Sequence, residues 1–485
     1  MQLSYSGSTR AADMSTLSSS KSKGVFVTAA TVYFLPVRTR MPLKFGRETL
    51  TEVECCRVSV TVEDANGRSA VGWGETPLSA QWAWPSDLTY AERAKMMRQC
   101  AIAAAEAWVR SGEYGHPIDL GVQFQERLLP ISQDNIGNAS NGEAVPYLAA
   151  LVSISALDIA VHDAYGNLHG IDIYDAYCAD YMLHDLAHYL RSETPGVSFA
   201  GKFPNDFLDP CRLQSLPVWH LVGALDPLFP EDEQTSPQAF DGYPTLLSDW
   251  IKRDGLQCLK IKLRGNDDEW DFCRLVDVGR ICIDLEVPLI SADFNCTVQD
   301  PSYVISVLDK LRRDEPLIFA RLLYVEQPFP YDLSSFPIDV RRVSEIIPLF
   351  LDESAHDWKH VMLGHTLGWT GVCLKTCKTQ TGSLLSFCWA RAHGMQIMVQ
   401  DLTNPMLAQI PHVRLAAKVS SIMGVESNAM QFYPDASLPE ASIHPGLYTR
   451  EEGRLHLGTL GKTGFGYRIE DMEREMPPPA ASFER

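Results

Sequence analysis

Short apolar runs bounded by polar or turn-forming residues recur through the second half of the sequence. Eight of them have the length of a strand buried on both faces, and helix-length segments separate most of them. They span residues 216–222, 258–263, 288–294, 322–328, 348–354, 371–376, 396–401 and 427–432. Strands that alternate with helices form parallel βα units, and eight such units close into a barrel. The pattern therefore predicts an α/β fold with a (β/α)8-type TIM barrel over residues 216–441.

The first third of the sequence has a different pattern, in which strand-like alternation gives way to helical spacing. The predicted elements are strands at 25–36, 52–64 and 72–76 and helices at 90–112 and 145–169. We expect residues 25–170 to form an α+β capping domain ahead of the barrel. Residues 171–215 would connect the two, and the turn-rich residues 442–485 would return to the capping domain.

Composition narrows the class of protein. Residues 1–24 are rich in serine and lack a hydrophobic core, which predicts a disordered tail, with an organellar presequence as the alternative. No stretch reaches the ~20 apolar residues that cross a bilayer, so we expect no membrane partner. The formal charge of −19 argues against a nucleic-acid partner. The 12 cysteines form no CxxC pair, which is typical of reduced thiols in a cytoplasmic protein.

Three consecutive predicted strands end in a carboxylate: Asp293, Glu326 and Asp352. The carboxyl ends of parallel barrel strands meet at one mouth, so these side chains could surround one divalent cation. Mg²⁺ prefers about six oxygen ligands, and three carboxylates leave positions for a substrate carboxylate. The sequence therefore predicts a Mg²⁺ site, with Mn²⁺ as a substitute.

Lysines end the strands on either side of these carboxylates, Lys262 before them and Lys375 after them. Strands two and six lie roughly opposite in a barrel of eight, so the two lysines could act as base or acid on opposite faces of a substrate carbon. A lysine accepts a proton only as the neutral amine, and a nearby cation favours that form. For Lys260, lowering the pKa of Lys262 and pairing with another carboxylate stay open as alternatives.

Taken together, these residues resemble the enolase superfamily, and within it the mandelate racemase/muconate lactonizing enzyme family and its two-lysine subgroup. The resemblance spans roughly residues 25–475. In it, Gly72–Glu75 looks like a turn of the capping domain that lies over the barrel mouth, and Arg40–Gly46 looks like the loop that covers the substrate. It implies a magnesium-dependent lyase or isomerase that removes the proton α to the carboxylate of a small substrate through an enediolate. We also expect a homo-oligomer.

The sequence departs from the family pattern in ways that leave the reaction open. Gln380 and Thr381 replace a glycine pair after the sixth strand, the eighth strand lacks the Asp-x-Asp of dipeptide epimerases, and the seventh lacks a histidine base. Cycloisomerisation, racemisation, epimerisation and dehydration all remain open. The rivals are a sugar-acid dehydratase, which usually recruits the missing histidine, and a catalytically silent barrel that acts as a binding or scaffold protein.

Four further residues lie at or just after the C-terminal ends of predicted strands. Asn295, Gln327 and Glu353 are expected to hold the metal ligands in place or to contact the substrate. Asp401, at the end of the seventh strand, is the first alternative base should the lysines fail.

Overall fold

The structure, a computed structural model, describes residues 23–211, 213–232 and 241–485, without the side chains of 128–135. Residues 1–22 of the predicted tail lie outside this part of the chain. The strands are β1 Val25–Phe45, β2 Glu48–Asp64, β3 Ser69–Pro77, β4 Ser215–Val222, β5 Cys258–Lys262, β6 Leu289–Asp293, β7 Leu322–Glu326, β8 Leu349–Leu351, β9 Gly371–Leu374, β10 Gln396–Val399, β11 Val425–Glu426, β12 Arg454–His456 and β13 Ala481–Glu484.

Helices fill most of the connections between these strands. They are α1 Ala80–Ala83, α2 Tyr90–Ser111, α3 Pro117–Ile136, α4 Tyr147–His169, α5 Leu186–Tyr189, α6 Leu247–Asp254, α7 Asp268–Asp284, α8 Pro301–Asp314, α9 Pro316–Phe319, α10 Arg341–Ser344, α11 Trp358–Leu367, α12 Gln380–Ala392, α13 Gln409–Ala416, α14 Ala429–Phe432, α15 Leu438–Ile443 and α16 Pro445–Tyr448. Short 3-10 turns occupy Ile173–Ala176, Pro204–Asp206, Thr376–Lys378, Met406–Ala408, Pro434–Ser437 and Ile469–Asp471.

An antiparallel sheet in the order β13-β1-β2-β3 forms the capping domain together with α2, α3 and α4. The predicted turn at Gly72–Glu75 is wrong, because these residues lie inside β3 and pack against α4. A Cβ atom at Gly72 or Gly74 would fall 2.1 or 2.0 Å from backbone atoms of α4. The glycines therefore serve close contact between strand and helix.

The second sheet is a barrel of parallel strands in the order β4 to β10, with β11 on the other side of β4. The ring closes where the Ile422 N–H donates to the Ile397 carbonyl at 2.8 Å. Side chains from alternating positions fill the interior, including Trp219, Tyr324 and Phe350. The predicted fold class is confirmed.

The eighth barrel strand is shorter and earlier than the sequence predicts. It covers Val425–Glu426, and the apolar residues Ala429–Phe432 form the helix α14 instead. A short apolar run cannot by itself distinguish a strand from a buried helix turn. The shift makes Glu426 the last residue of the eighth strand.

The capping domain also contains the helices α3 and α4, of which the sequence predicted only the second. Sequence reasoning missed α3, although Pro117 at its first turn and a capping box between His116 and Asp119 mark its start. The predicted helix at 145–169 is α4. Among the described residues, α4 alone is long and apolar enough to cross a membrane, and 94% of its apolar window is buried inside the protein.

Candidate active site

Five predicted residues meet at the mouth formed by the C-terminal ends of the barrel strands. Lys262 lies beside Asp293 in the β5–β6 pairing, and Asp293 lies beside Glu326 in the β6–β7 pairing. Asp352 and Lys375 directly follow β8 and β9. All five are buried. The strand register thus places three carboxylates between two lysines.

Asp293 is held by two ammonium groups. Its Oδ2 atom lies 2.5 Å from Lys262 Nζ and 3.1 Å from Lys260 Nζ, and its Oδ1 atom accepts the Asn295 N–H at 2.9 Å. Burial alone would raise the pKa of Asp293, but the two lysines hold it well below its ordinary value. Asp293 is therefore ionised here.

Lys260 contacts several carboxylates at once. Its Nζ atom lies 2.7 Å from Glu326 Oε1 and 3.0 Å from Glu426 Oε2. Burial favours the neutral amine, but Glu326, Glu426 and Asp293 raise the pKa of Lys260 well above its usual value. Of the two roles open for Lys260, this geometry favours pairing with carboxylates. Sequence reasoning missed Glu426 because the eighth strand was placed too late.

Lys375 lies on the opposite side of the mouth. Its Nζ atom is 3.3 Å from Asp352 Oδ2 and donates to Gln400 Oε1 at 3.2 Å and to the Asp401 carbonyl at 2.9 Å. Burial lowers the pKa of Lys375, but Asp352 outweighs it and raises the pKa above its ordinary value. The contact with Asp352 thus favours the charged form of Lys375.

Lys378 is a second lysine that contacts Asp352, and the sequence alone did not assign it a role. Its Nζ atom donates to the Asp352 carbonyl at 2.5 Å and lies 3.5 Å from Asp352 Oδ1. Lys378 belongs to the 3-10 turn that follows β9, three residues after Lys375. That one turn therefore directs both ammonium groups toward the same carboxylate.

Gln327 fixes the loop that carries Asp352. Its side-chain carbonyl accepts the N–H groups of Asp352 at 2.8 Å and Ser354 at 3.2 Å. Its amide donates to Ser354 Oγ at 2.7 Å and to the Phe329 carbonyl at 3.0 Å. Gln327 is fully buried, so these four bonds satisfy its amide and rigidly position the loop.

Glu353 and Asn295 lie next to the carboxylates with spare acceptor atoms. Asn295 Nδ2 donates to Glu353 Oε1 at 3.0 Å, whereas Glu353 Oε2 and Asn295 Oδ1 are buried without a hydrogen-bond partner among the described residues. Burial and the charges of Asp352 and Asp293 raise the pKa of Glu353 to about 7. Unpartnered buried oxygens cost free energy, so this side of the site would gain from a cation.

The donor set at the mouth fits Mg²⁺ in chemistry. The oxygens are hard donors, and burial, followed by the negative charge of Asp293, raises the pKa of Glu326. Within the described part of the chain, however, no three acidic, histidine or cysteine side chains already converge on one point as a metal site. Lysines occupy the space between the carboxylates, so metal binding would have to displace Lys262 or Lys260 from Asp293.

Asp401 also reaches the mouth, but its oxygens serve the local loop. Oδ2 accepts the N–H groups of Asn428 at 2.7 Å and Asn404 at 3.2 Å, and Oδ1 accepts Asn428 Nδ2 at 3.2 Å. Burial raises the pKa of Asp401 against these bonds. The residue is better placed to shape the loop after β10 than to take a proton.

A partly open chamber joins the mouth to the capping domain. The hairpin between β1 and β2 closes one side, as the resemblance implied for Arg40–Gly46, and α1 closes another. The lining residues are Leu43, Phe45, Leu50, Ser79, Trp82, Leu221, Lys260, Lys262, Asp352, Lys375, Asp401, Leu402, Thr403, Glu426 and Asn428.

No protein-family model matches the sequence. No curated protein sequence matches it either. Solved structures do match. An N-succinyl Arg/Lys racemase from Bacillus cereus superposes with a TM-score of 0.62 at 16% identity, over 94% of this chain and 99% of the other.

Two further structures show the same likeness. A dipeptide epimerase from Cytophaga hutchinsonii, complexed with Mg and the dipeptide D-Ala-L-Val, gives a TM-score of 0.61 at 15% identity, over 94% of this chain and 99% of the other. A member of the enolase superfamily from Roseovarius nubinhibens gives 0.57 at 16% identity, over 95% and 100%. The likeness covers the capping domain and the barrel together. The chain therefore has the two-domain fold of the enolase superfamily.

Proposed function

We propose that this protein is an enzyme, a magnesium-dependent lyase or isomerase that removes the proton α to a substrate carboxylate and so forms an enediolate. One observation supports this most. Lys262 and Lys375 stand four strands apart in a ring of eight, with three buried carboxylates on the strands between them. A structural ion-pair network needs no such placement around an open chamber.

Asp293, Glu326 and Asp352 would hold Mg²⁺, with Mn²⁺ as a substitute. When bound, the metal would draw electron density from the substrate carboxylate and so make its α-proton more acidic. Gln327 would keep Asp352 in place through the loop that it fixes. Asn295 and Glu353 lie beside this set with acceptor atoms to spare.

The two lysines would divide the proton chemistry. Lys262 would exchange a proton on one face of the α-carbon and Lys375 on the other, because they approach the chamber from opposite sides. Racemisation and epimerisation need both lysines in turn, whereas cycloisomerisation and dehydration need one. The fold is shared by a racemase and an epimerase, which supports isomerase chemistry.

The proposed enzyme is a cytoplasmic homo-oligomer that acts on a small substrate with a carboxylate group. The 12 cysteines are all free thiols and eight of them are buried, which suits a reducing compartment.

The test is deuterium incorporation. Purified protein with Mg²⁺ would be incubated in D₂O with a panel of 2-substituted carboxylic acids, N-acylamino acids and dipeptides, and α-deuteration would be followed by NMR. We expect exchange in at least one class and none after chelation. Exchange that survives chelation would contradict the metal assignment. No exchange in any class, together with no Mg²⁺ binding by calorimetry, would favour the scaffold alternative.

A further inference from the structure

The two walls of the chamber have opposite character. The barrel supplies charged groups such as Lys262 and Lys375, whereas the described lining residues of the capping domain carry no charge and are mainly apolar. From the capping domain come Leu43, Phe45, Leu50, Ser79 and Trp82. Two leucines of the barrel, Leu221 and Leu402, extend this apolar surface around the chamber.

Two aromatic rings of the capping wall stand over the proposed bases. The Phe45 ring centroid lies 5.9 Å from Lys262 Nζ, and the Trp82 ring centroid lies 5.4 Å from Lys375 Nζ. A substrate carbon placed between the two lysines must therefore direct one of its substituents toward these rings.

The charged groups of the barrel wall are already paired. Both oxygens of Glu426 are used, by Lys260 at 3.0 Å and by Asn428 Nδ2 at 2.7 Å. The Asp401 oxygens accept from backbone and amide N–H groups. Lysines are the only basic residues among the described lining residues, and all three contact a carboxylate. A second charge on the substrate would be buried against the capping wall without a partner among the described lining residues, which is unfavourable.

We propose that the substrate carries an uncharged, apolar aliphatic or aromatic group next to its reacting carboxylate, and that Trp82 and Phe45 bind this group. The inference rests on the proposed function, because it takes the carboxylate end to lie at the metal ligands. The proposal implies that the chamber does not bind a substrate with an additional ammonium group, as in a dipeptide, or with a second carboxylate.

The probes are three hydroxamates that share a metal-binding headgroup and differ in the tail. They are 3-phenylpropanohydroxamate, the monohydroxamate of glutaric acid and 4-aminobutanohydroxamate, each titrated into the Mg²⁺-loaded protein by calorimetry. We expect the phenyl probe to bind about 10-fold to 100-fold more tightly than either charged probe, in line with the burial of one large apolar group. Equal binding, or tighter binding of a charged tail, would overturn the inference and leave the proposed function standing. Binding of none of them would overturn both.

A variant tests the contact itself. Trp82→Ala should weaken the phenyl probe about 10-fold or more and leave the glutaric probe unchanged, while Trp82→Phe should retain most of the affinity. Trp73→Ala is the matched control, because Trp73 stacks on Tyr33 in the capping sheet and does not line the chamber. Equal weakening by Trp73→Ala, or full affinity in Trp82→Ala, would place the apolar group elsewhere and refute the assignment. Thermal melts would confirm that each variant is folded.

Discussion

Two buried clusters of charged side chains can be compared in this protein. The capping cluster consists of Arg57, Glu75, Glu440 and Arg474, in which Arg57 bonds both glutamates and Arg474 bonds Glu440. The mouth cluster consists of four lysines and six carboxyl groups: Lys260, Lys262, Lys375, Lys378, Asp293, Glu326, Asp352, Glu353, Asp401 and Glu426. The first is balanced in charge, whereas the second has two more carboxyl groups than lysines.

The difference in residue types and charge balance indicates a different role for each cluster. Guanidinium groups stay charged and bind carboxylates through a rigid fork, which suits a permanent contact between β2, β3 and α15. Lysines are single-point charges on flexible stems whose pKa responds to their surroundings, which suits proton transfer. The two additional carboxyl groups at the mouth supply further oxygen atoms that a divalent cation could bind. The capping cluster should therefore govern stability, and the mouth cluster activity.

The largest expected effect is on turnover. Lys262→Ala and Lys375→Ala should each lower turnover by a factor of about 10²–10⁴, because each removes one proton-transfer group. Either variant should still exchange the α-proton with D₂O from the remaining face, and the double variant should not, as NMR would show.

Lys359→Ala is the control, since Lys359 is exposed on α11. Full exchange and full turnover in both single lysine variants would disprove the two-lysine mechanism, and Asp401 would then be the first base to test. That result would not by itself establish the scaffold alternative.

The next effect is on the free energy of unfolding. Arg57→Met should destabilise the protein by about 3–5 kcal/mol, because it leaves Glu75 without its ion-pair partner in the core. Urea unfolding of the variant measures this value. Arg110→Met should change it by less than about 1 kcal/mol, since the Arg110 side chain is 76% exposed beside Glu106.

A clear loss of specific activity in folded Arg57→Met would contradict the assignment of stability to the capping cluster and activity to the mouth cluster. Specific activity measured at a temperature where the variant is fully folded separates these two effects. We expect it to stay near that of the unaltered protein.

Metal binding gives the third effect. At 100 times its dissociation constant, Mg²⁺ should stabilise the folded protein by about 2.7 kcal/mol, seen as a rise in melting temperature that chelation reverses. Asp293→Asn should abolish this rise, because it removes a ligand charge. Glu75→Gln removes a carboxylate from the capping cluster instead and should leave the rise intact. An equal rise in Asp293→Asn would show that the metal binds elsewhere.

Much of the mouth cluster could be predicted from the sequence because each residue ends or directly follows an apolar strand. Asp293 and Glu326 are the last residues of β6 and β7, and Lys262 is the last of β5. Strand periodicity alone places such residues on one edge of a parallel sheet. The ligand roles of these residues stay predictions until a metal is measured.

Other members could not be found in this way. Glu426 ends a strand of only two residues, which is too short to give a periodic signal. Gln400 bridges Lys375 and Glu326, and only tertiary packing brings these three residues together. Outside the mouth cluster, the strand predicted at 72–76 is part of β3, but the contact of Gly72 and Gly74 with α4 follows from tertiary packing, which no local pattern reveals.

The smallest expected effect concerns the hairpin between β1 and β2, which covers one side of the chamber. Arg40 binds Asp241 through two bonds of 2.6 and 2.8 Å and donates to the carbonyls of Pro244 and Tyr243 at 3.1 Å. These bonds tie the β1–β2 hairpin to the segment that precedes α6. Arg40→Ala should cost about 1–2 kcal/mol of local stability, raise KM a few-fold and speed hydrogen exchange at residues 41–46.

Arg38→Ala is the matched control for Arg40→Ala. The Arg38 side chain is 86% exposed, and it lies 3.9 Å from the carboxylate of Glu52. It should change neither KM nor exchange. Binding of Mg²⁺ and 3-phenylpropanohydroxamate should slow exchange in the same hairpin, because a closed cover excludes water from the chamber. Protection that appears only at the N-terminal ends of the barrel strands would mean that the ligand binds at the other end of the barrel. The functional difference between the capping and mouth clusters would then have to be abandoned.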